Sequence, residues 1–244
     1  MMAGKAQIIV PAPGIHNADL EKSRVRLLKG KSYRDCSTVC IIPTRGLIHA
    51  HVLQSWFGLQ VPMNNRFLRL FGVNMEVADS YNQMIANVLS HPDLSTWRYI
   101  LTLEEDNIPP PDGLLKLIEA LEEHKLDVVG GLYWTKGEGG QPMIYGDPAV
   151  TPKTFLPQIP VVDTVQRCNG LGMGFNLFRM SIFKDERIPR PWFRTIQEFV
   201  PGQGVRAMTQ DLYFYENAGN VGYKFASANH VRVGHFDCSS ELTW

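Results

Sequence analysis

The sequence predicts an α/β protein with three layers, α/β/α, built around a mainly parallel, doubly wound sheet. Two observations lead to this prediction. Short apolar runs rich in β-branched residues alternate with amphipathic helical patterns between residues 38 and 134, which is typical of parallel sheets with helical crossovers. Each run also stops at a proline, a glycine or a polar turn, as a buried strand does.

Two strand–helix units are predicted between residues 38 and 92. Pro43 stops the first run because proline has no amide hydrogen to donate to a ladder. Asp79 or Ser80 can cap the second helix. The predicted elements are a strand in "TVCIIPTRG", a helix in "HAHVLQSWFGL", a strand in "RFLRLFG" and a helix in "ADSYNQMIANVLSHP".

A third unit and a fourth strand follow. The run "RYILTL" predicts a strand that the prolines at 109–111 prevent from continuing. A leucine-rich stripe over residues 114–121 predicts the next helix, and "DVVGGLYW" predicts the fourth strand.

The second half has a different character. Residues 135–160 are rich in glycine and proline and predict a long loop with small β pieces that can act as a lid. Thr209 is expected to cap a helix over residues 209–218, which closes at Gly219 or Gly222. Further strands are predicted in "VVDTV", "GFNLFR", "YKFAS" and "VRVG".

Length and charge limit the classes of function that are possible for this sequence. The 244 residues predict one domain over 36–244 preceded by an extension over 1–35. Lys plus Arg (24) balance Asp plus Glu (24), so no whole-molecule field attracts nucleic acid or anionic lipid. The basic run at 22–34 is either a solvated leader or a phosphate-binding arm. No apolar run is long enough for a membrane span, and no C-x-x-C motif occurs, so a cytoplasmic protein is expected.

An acidic turn follows the third predicted strand. Glu104, Glu105 and Asp106 lie at the carboxyl end of that strand, where open parallel sheets bind ligands. Clustered carboxylates repel each other unless they share a cation, and oxygen ligands suit Mg²⁺ or Mn²⁺. The alternative is that these acids complement the dipole of the next helix, and this stretch alone favours neither interpretation.

Two further residues are candidates for the same site. Asp211 lies in the first turn of a predicted helix, and His235 lies at the end of the last predicted strand. Each has a plain structural alternative, since an acid at this position complements the helix dipole and an isolated histidine is more often structural than a metal ligand.

Together these three passages resemble the glycosyltransferases of the A-type fold, the nucleotide-diphospho-sugar transferase fold, over residues 38–236. In that family a D-x-D-like motif holds a divalent ion on the diphosphate of a nucleotide sugar, and here Glu104 and Asp106 occupy the acidic positions of "LEEDNIPPP". The resemblance implies that Asp211 is the catalytic base of an inverting enzyme. It also implies that His235 completes the metal site.

Lesser matches extend the resemblance. The segment "IIPTRG" resembles the first strand and turn that touch the nucleotide, "ADSYNQMIA" resembles a helix start near it, and "CNGLGMGFNLFRMSIF" resembles the glycine-rich segment on the acceptor side. Trp134 can stack on a sugar or base ring, or belong to the core. The implied nucleotide contacts are Thr44, Arg45, Asn82 and Glu105, and the implied acceptor or sugar contacts are Trp134, Asn169, Gly170 and Gly172.

The implied activity is transfer of a sugar from a UDP- or GDP-sugar to an acceptor hydroxyl with Mn²⁺ or Mg²⁺ as cofactor. The acceptor stays open among a glycan, a protein, a lipid-linked sugar and modified phage or bacterial DNA. Retention and inversion both remain possible. A nucleotidyltransferase is one alternative, and a non-catalytic nucleotide-sugar binding module is another, because Glu104 and Gln210 depart from the family motifs.

Overall fold

A computed structural model describes residues 35–62, 66–202 and 204–244. The helices are α1 (Ala50–Gly58), α2 (Val77–Ser90), α3 (Gly113–Glu123) and α4 (Gln210–Val221). The strands are β1 (Thr38–Thr44), β2 (Phe67–Val73), β3 (Tyr99–Leu103), β4 (Asn107–Ile108), β5 (Val128–Leu132), β6 (Ile144–Tyr145), β7 (Val165–Cys168), β8 (Gly170–Leu171), β9 (Phe175–Arg179), β10 (Ile196–Val200), β11 (Gly204–Met208), β12 (Phe225–Arg232), β13 (Gly234–Asp237) and β14 (Leu242–Thr243).

The main sheet has seven strands in the order β2-β1-β3-β9-β5-β12-β7. The pairs β1–β2, β1–β3 and β5–β12 are parallel, whereas β9 runs antiparallel to both of its neighbours and β7 runs antiparallel to β12. The sheet is therefore mixed, with five strands in one direction. The predicted α/β class is confirmed, and the two reversed strands refine the expectation of a mainly parallel sheet.

Helices cover both faces of this sheet, as a three-layer fold requires. Strand β1 is buried on both sides, so Cys40 and Ile42 join one core cluster while Val39 and Ile41 join the other. The leucines of α3 and the buried residues of α1 belong to the first cluster. The buried apolar residues of α2, together with Phe214 and Tyr215 of α4, belong to the second.

A small antiparallel sheet lies beyond the carboxyl end of β3. In it β13 pairs with β4, so that Gly234 lies opposite Ile108 and His235 lies opposite Asn107. The amide of Phe236 donates to the carbonyl oxygen of Asp106 at 2.7 Å. This pairing carries the end of the chain back to the acidic turn.

Several element boundaries differ from the prediction. Helix α2 begins at Val77 and is capped by Glu76, whose side chain accepts from the amide of Asp79, so neither Asp79 nor Ser80 is the cap. The strand predicted in "VVDTV" was placed too early, since β7 begins at Val165. Thr209 does precede α4, which continues to Val221 and ends at Gly222.

Glycine at that last position meets a conformational requirement, since Gly222 has φ of 102°. The hairpin of β10 and β11 was not predicted. The predicted extension and its basic run lie almost wholly outside the described residues, which begin at 35. In the parts of the chain that are described, no helix has the length and apolar character needed to cross a membrane.

Glu122 joins three elements of the fold. Its Oε1 accepts from the Tyr99 hydroxyl at 2.6 Å, from Arg179 at 2.8 Å and from Arg98 at 3.1 Å. Burial raises the pKa of this carboxyl, but the three donors outweigh burial and hold the pKa below its ordinary value. Glu122 therefore ties α3 to β3 and β9.

We expect Glu122→Gln to lower the free energy of unfolding by about 1–3 kcal/mol, because it leaves two arginines and a tyrosine hydroxyl with a neutral acceptor. The adjacent Glu123→Gln is the matched control, since Glu123 is exposed on the same helix. Urea denaturation at pH 7 measures both variants. Equal stabilities for the two variants would contradict this role for Glu122.

Candidate active site

The acidic turn after β3 directs its three carboxylates toward three different parts of the chain. The amide of Glu104 donates to the carbonyl oxygen of Gly174 at 3.1 Å, and the amide of Asn107 donates back to the Glu104 carbonyl at 3.0 Å. These bonds close a tight turn at the carboxyl edge of the sheet. Each carboxylate then finds its own hydrogen-bond donor, which offsets the repulsion among them.

Glu105 fixes the loop that follows β1. Its carboxylate accepts from the Thr44 hydroxyl at 2.7 Å, from the Arg45 amide at 2.8 Å and from the Arg45 guanidinium. Burial raises the pKa of Glu105, but these donors outweigh it and the pKa lies below its ordinary value. Glu105 is therefore an anion that orders Thr44 and Arg45, two of the four residues predicted to touch the nucleotide.

Asp106 contacts two basic side chains. Its Oδ2 lies 2.5 Å from Nζ of Lys136 and 3.4 Å from Nε2 of His235. Burial raises the pKa of Asp106, yet His235 and Lys136 together lower it below its ordinary value. A largely buried aspartate is thus kept ionised, with the Lys136 ammonium group and the His235 ring nitrogen beside the same oxygen.

The orientation of His235 is set by the strand next to it. Nδ1 of His235 lies 2.8 Å from the carbonyl oxygen of Trp134, and since a carbonyl can only accept, Nδ1 carries the hydrogen. Nε2 then faces Asp106, where it presents a lone pair when the ring is neutral. A backbone carbonyl on one ring nitrogen is the usual support for a histidine that binds a metal through the other.

Glu104 is set apart from this pair. Its Oε1 accepts from the Tyr81 hydroxyl at 3.0 Å. Burial, followed by repulsion from Asp106, raises the pKa of Glu104 to about 7, although the Tyr81 hydrogen bond opposes the rise. At neutral pH the three neighbouring carboxyls are therefore not equivalent, because Glu105 and Asp106 are ionised and Glu104 is about half protonated.

Asp211 lies in the first turn of α4 and is 6% exposed. Its Oδ1 accepts from the amide of Leu212 at 2.9 Å. Burial raises the pKa of Asp211, although the Thr209 hydroxyl and the Leu212 amide oppose that rise. A raised pKa suits a carboxylate that must take a proton near neutral pH.

A cavity of about 430 Å³ opens at this edge of the sheet. It joins the loop after β1, the acidic turn, the start of α2 and the start of α4. The residues that line it are Pro43, Thr44, Arg45, Met75, Val77, Glu104, Glu105, Asp106, Lys136 and Gln210. The predicted residues Thr44, Arg45, Glu104, Glu105 and Asp106 thus share one cavity, with His235 on Asp106.

Other predicted contacts lie elsewhere. The amide group of Asn82 bonds the backbone of Phe193 in both directions, at 2.8 Å and 3.1 Å, so Asn82 holds a neighbouring loop and does not line the cavity. Asn169 is buried and donates to the carbonyl oxygen of Thr154 at 2.9 Å. The side chain of Trp134 packs against the core, and only its carbonyl reaches the site.

The glycines predicted to face the acceptor contact protein atoms instead. A Cβ added at Gly172 would lie 2.3 Å from the Tyr133 hydroxyl oxygen. One added at Gly170 would lie 3.0 Å from the Leu212 side chain. Both glycines are buried and outside the cavity lining. These two positions are closely packed against other protein atoms.

Three residues of the site were not predicted as functional: Tyr81, Lys136 and Gln210. Tyr81 lies in the segment "ADSYNQMIA", which the resemblance places near the nucleotide, but Asn82 was the residue predicted from that segment. Lys136 carried no signal, since a single lysine in a glycine-rich loop has no pattern. Gln210 was noted as a departure from the family motif, and its place in the cavity lining shows that this position faces the site.

The acidic turn and β13 offer two side-chain ligands for a divalent ion. Across residues 35–62, 66–202 and 204–244, no three His, Cys, Asp or Glu side chains come close enough together to hold a metal ion. Two of the three predicted ligands, Asp106 and His235, are brought together, whereas Glu104 bonds Tyr81. A carboxylate oxygen beside an imidazole lone pair fits a divalent ion with two protein ligands, and Mn²⁺ accepts the nitrogen more readily than Mg²⁺.

Comparison with solved structures assigns the fold. A197 from STIV is 20% identical and superposes with a TM-score of 0.57 over 85% of this chain and 92% of that chain. Residues 1–349 of S. aureus TarS in complex with UDP-GlcNAc are 13% identical and superpose with a TM-score of 0.50 over 81% of this chain. The fold is that of the A-type glycosyltransferases, as the resemblance implied.

This chain spans 57% of the TarS chain. No protein-family model and no curated protein matches the sequence. The likeness is therefore one of backbone architecture.

Glu104 and Glu105 should affect the pH dependence of stability in opposite ways. The pKa of Glu104 is raised from 4.5 to about 7, so its contribution to the free energy of unfolding is full below pH 4.5 and is lost as the pH rises to about 7. The pKa of Glu105 is lowered, so its contribution is present above its ordinary pKa and is lost on acidification.

We therefore expect Glu104→Gln to flatten the decline in stability between pH 4.5 and 7, and Glu105→Gln to reduce stability chiefly at neutral pH. Urea denaturation from pH 4 to pH 8 in buffer with a chelator measures both, and each variant serves as the control for the other. A stability curve for Glu104→Gln that runs parallel to wild type through this range would contradict the assignment.

Proposed function

We propose that this protein is a glycosyltransferase that moves a sugar from a nucleoside-diphosphate sugar to an acceptor hydroxyl. The observation that carries the proposal is the convergence of Thr44, Arg45 and the Asp106–His235 pair on one cavity at the carboxyl edge of an A-type fold. The TarS structure of the same fold, solved with UDP-GlcNAc, supports a nucleotide-sugar donor.

The loop after β1 is suited to hold the nucleotide. Thr44 and Arg45 are both bonded to Glu105, and the amide of Gly46 donates to the Thr44 hydroxyl oxygen at 2.9 Å. Gly46 has φ of 98°, a conformation that favours glycine, so the turn is shaped by its backbone as well as by Glu105. A preorganised loop loses little entropy when a ligand binds to it.

We propose Mn²⁺ or Mg²⁺ as the cofactor, held by Asp106 and His235. The ion would neutralise the charge on the departing diphosphate. The Trp134 carbonyl keeps Nδ1 of His235 protonated and leaves Nε2 to bind. Glu104 is adjacent to this pair, and a nearby cation would lower its raised pKa.

The acceptor hydroxyl must lose a proton as it attacks, and Asp211 is the base we propose. In that step a bond forms between the acceptor oxygen and the anomeric carbon, while the bond from that carbon to the phosphate oxygen breaks and its electron pair leaves with the diphosphate. The acceptor proton goes to Asp211, whose pKa burial has raised. This arrangement inverts the anomeric centre.

The first test is ligand binding. Thermal shift with UDP and GDP, each with and without Mn²⁺, should show stabilisation by one nucleotide that increases with the metal, because a ligand that binds only the native state raises the melting temperature. Asp106→Asn should weaken metal-supported nucleotide binding by about 10–100-fold, since it removes a charged ligand. Asp147→Asn, at an exposed residue outside the cavity, is the control.

No stabilisation by either nucleotide would contradict a nucleotide-sugar donor. Binding of the nucleotide without slow metal-dependent hydrolysis of UDP- or GDP-sugars would favour the binding module over the enzyme. Release of pyrophosphate from UTP or GTP in the presence of a sugar 1-phosphate, without release of nucleoside diphosphate from the nucleotide sugars, would favour the nucleotidyltransferase.

The second test addresses the base. Asp211→Asn should lower kcat by about 10²–10⁴-fold and leave the Kd of the nucleotide near that of wild type, because proton transfer contributes in the transition state and not in ground-state binding. Asparagine keeps an oxygen for the Leu212 amide, so the helix start is preserved. A variant that transfers sugar at the wild-type rate would show that Asp211 has no part in the chemistry.

A further inference from the structure

Lys136 bonds a proposed metal ligand. It belongs to the glycine-rich loop after β5, and its Nζ lies 2.5 Å from Oδ2 of Asp106. The Lys136 side chain is 31% exposed and that of Asp106 is 21% exposed, so this ion pair is partly shielded from water. Screening by solvent is correspondingly weaker than for a pair on the open surface.

The position of the ammonium group conflicts with that of a divalent ion. Lys136 Nζ and His235 Nε2 both approach Oδ2 of Asp106, at 2.5 Å and 3.4 Å. An ion held between Asp106 and His235 would stand beside the same oxygen, and two cations at one carboxylate oxygen repel each other. Lys136 must therefore leave Asp106 when the ion binds.

The loop around Lys136 is built to allow such a move. Gly137 and Gly139 have φ of 96° and 76°, and a Cβ added at either position would meet nothing within 4 Å. A side chain at either position would thus extend into open space. The long stem of lysine adds rotatable bonds of its own.

The cavity also offers the released ammonium a new partner. Its lining contains two basic side chains, and Arg45 is bonded through both its amide and its guanidinium to Glu105. Lys136 differs from Arg45, because its partner Asp106 is also the proposed ligand of the ion. A diphosphate bound in this cavity is therefore the nearest anion with which the released Lys136 ammonium group can pair.

We propose that Lys136 exchanges partners during the reaction cycle: it pairs with Asp106 in the free protein and with the diphosphate oxygens once the donor and ion are bound. This inference rests on the proposed function. Lys136 is then a residue that binds the sugar donor. When no sugar donor is bound, it pairs with the negative charge of Asp106. Because the diphosphate gains one negative charge as the sugar leaves, Lys136 stabilises the departing group more than the intact donor.

The exchange predicts two opposite effects of one substitution. We expect Lys136→Met to bind Mn²⁺ alone about 10-fold more tightly than wild type, because the competing ammonium is gone. The same variant should bind UDP or GDP, whichever the wild type binds, about 10–100-fold more weakly in saturating Mn²⁺, because a charge-assisted hydrogen bond is lost. Electron paramagnetic resonance of free Mn²⁺ and calorimetric titration of the nucleotide measure the two affinities.

Two further variants complete the design. Lys136→Arg keeps the charge and should stay within about threefold of wild type for both ligands. Lys153→Met is the matched control, because Lys153 lies in the same long loop but outside this cavity and donates to the carbonyl oxygen of Glu216. Melting temperatures in metal-free buffer verify that each variant is folded.

The outcomes separate this inference from the function on which it rests. Wild-type protein that binds neither UDP nor GDP with Mn²⁺ overturns both. Wild-type binding with a Lys136→Met variant that matches Lys153→Met overturns the exchange alone and leaves the proposed function standing. A Lys136→Met variant weakened toward both Mn²⁺ and the nucleotide also overturns the exchange, since competition requires opposite signs.

Discussion

The site depends on the antiparallel pairing of β13 with β4, because this pairing brings residue 235 beside residue 106. His235 lies opposite Asn107, and the amide of Phe236 bonds the carbonyl of Asp106. The carboxylates of the acidic turn repel one another, and these backbone bonds hold Asp106 and His235 in place against that repulsion. The relative position of Asp106 and His235 is thus set mainly by the backbone.

The same turn distributes its charges unequally. Glu105 receives three donors from the loop after β1 and remains ionised, while Asp106 is kept ionised by His235 and Lys136. Glu104 has only the Tyr81 hydroxyl, and burial raises its pKa to about 7. Three consecutive carboxyls therefore differ: Glu105 is an anion that orders a loop, Asp106 is an anion paired with Lys136, and Glu104 has a raised pKa, and the differences come from their burial and their hydrogen-bond partners.

Local patterns predicted much of the fold, and long-range pairings explain the rest. Strand β1 and helix α3 were predicted because the apolar run of β1 and the helical spacing of apolar residues in α3 are visible in the local sequence. The reversed insertion of β9 between β3 and β5 leaves no local mark, since a buried strand has the same apolar residues in either direction.

In the site, Asn82 lies outside the cavity lining, although the adjacent Tyr81 bonds Glu104. Neighbours on a helix point about 100° apart, so when Tyr81 faces Glu104, Asn82 must face elsewhere. The glycines at 170–174 were read as making room for a ligand, whereas Gly172 makes room for Tyr133 and the amide of Gly174 donates to the Tyr133 hydroxyl oxygen at 2.9 Å. The edge of the Tyr133 ring in turn meets the imidazole of His235 at 5.5 Å between centroids. This segment therefore supports the site by holding the aromatic wall against which His235 is set.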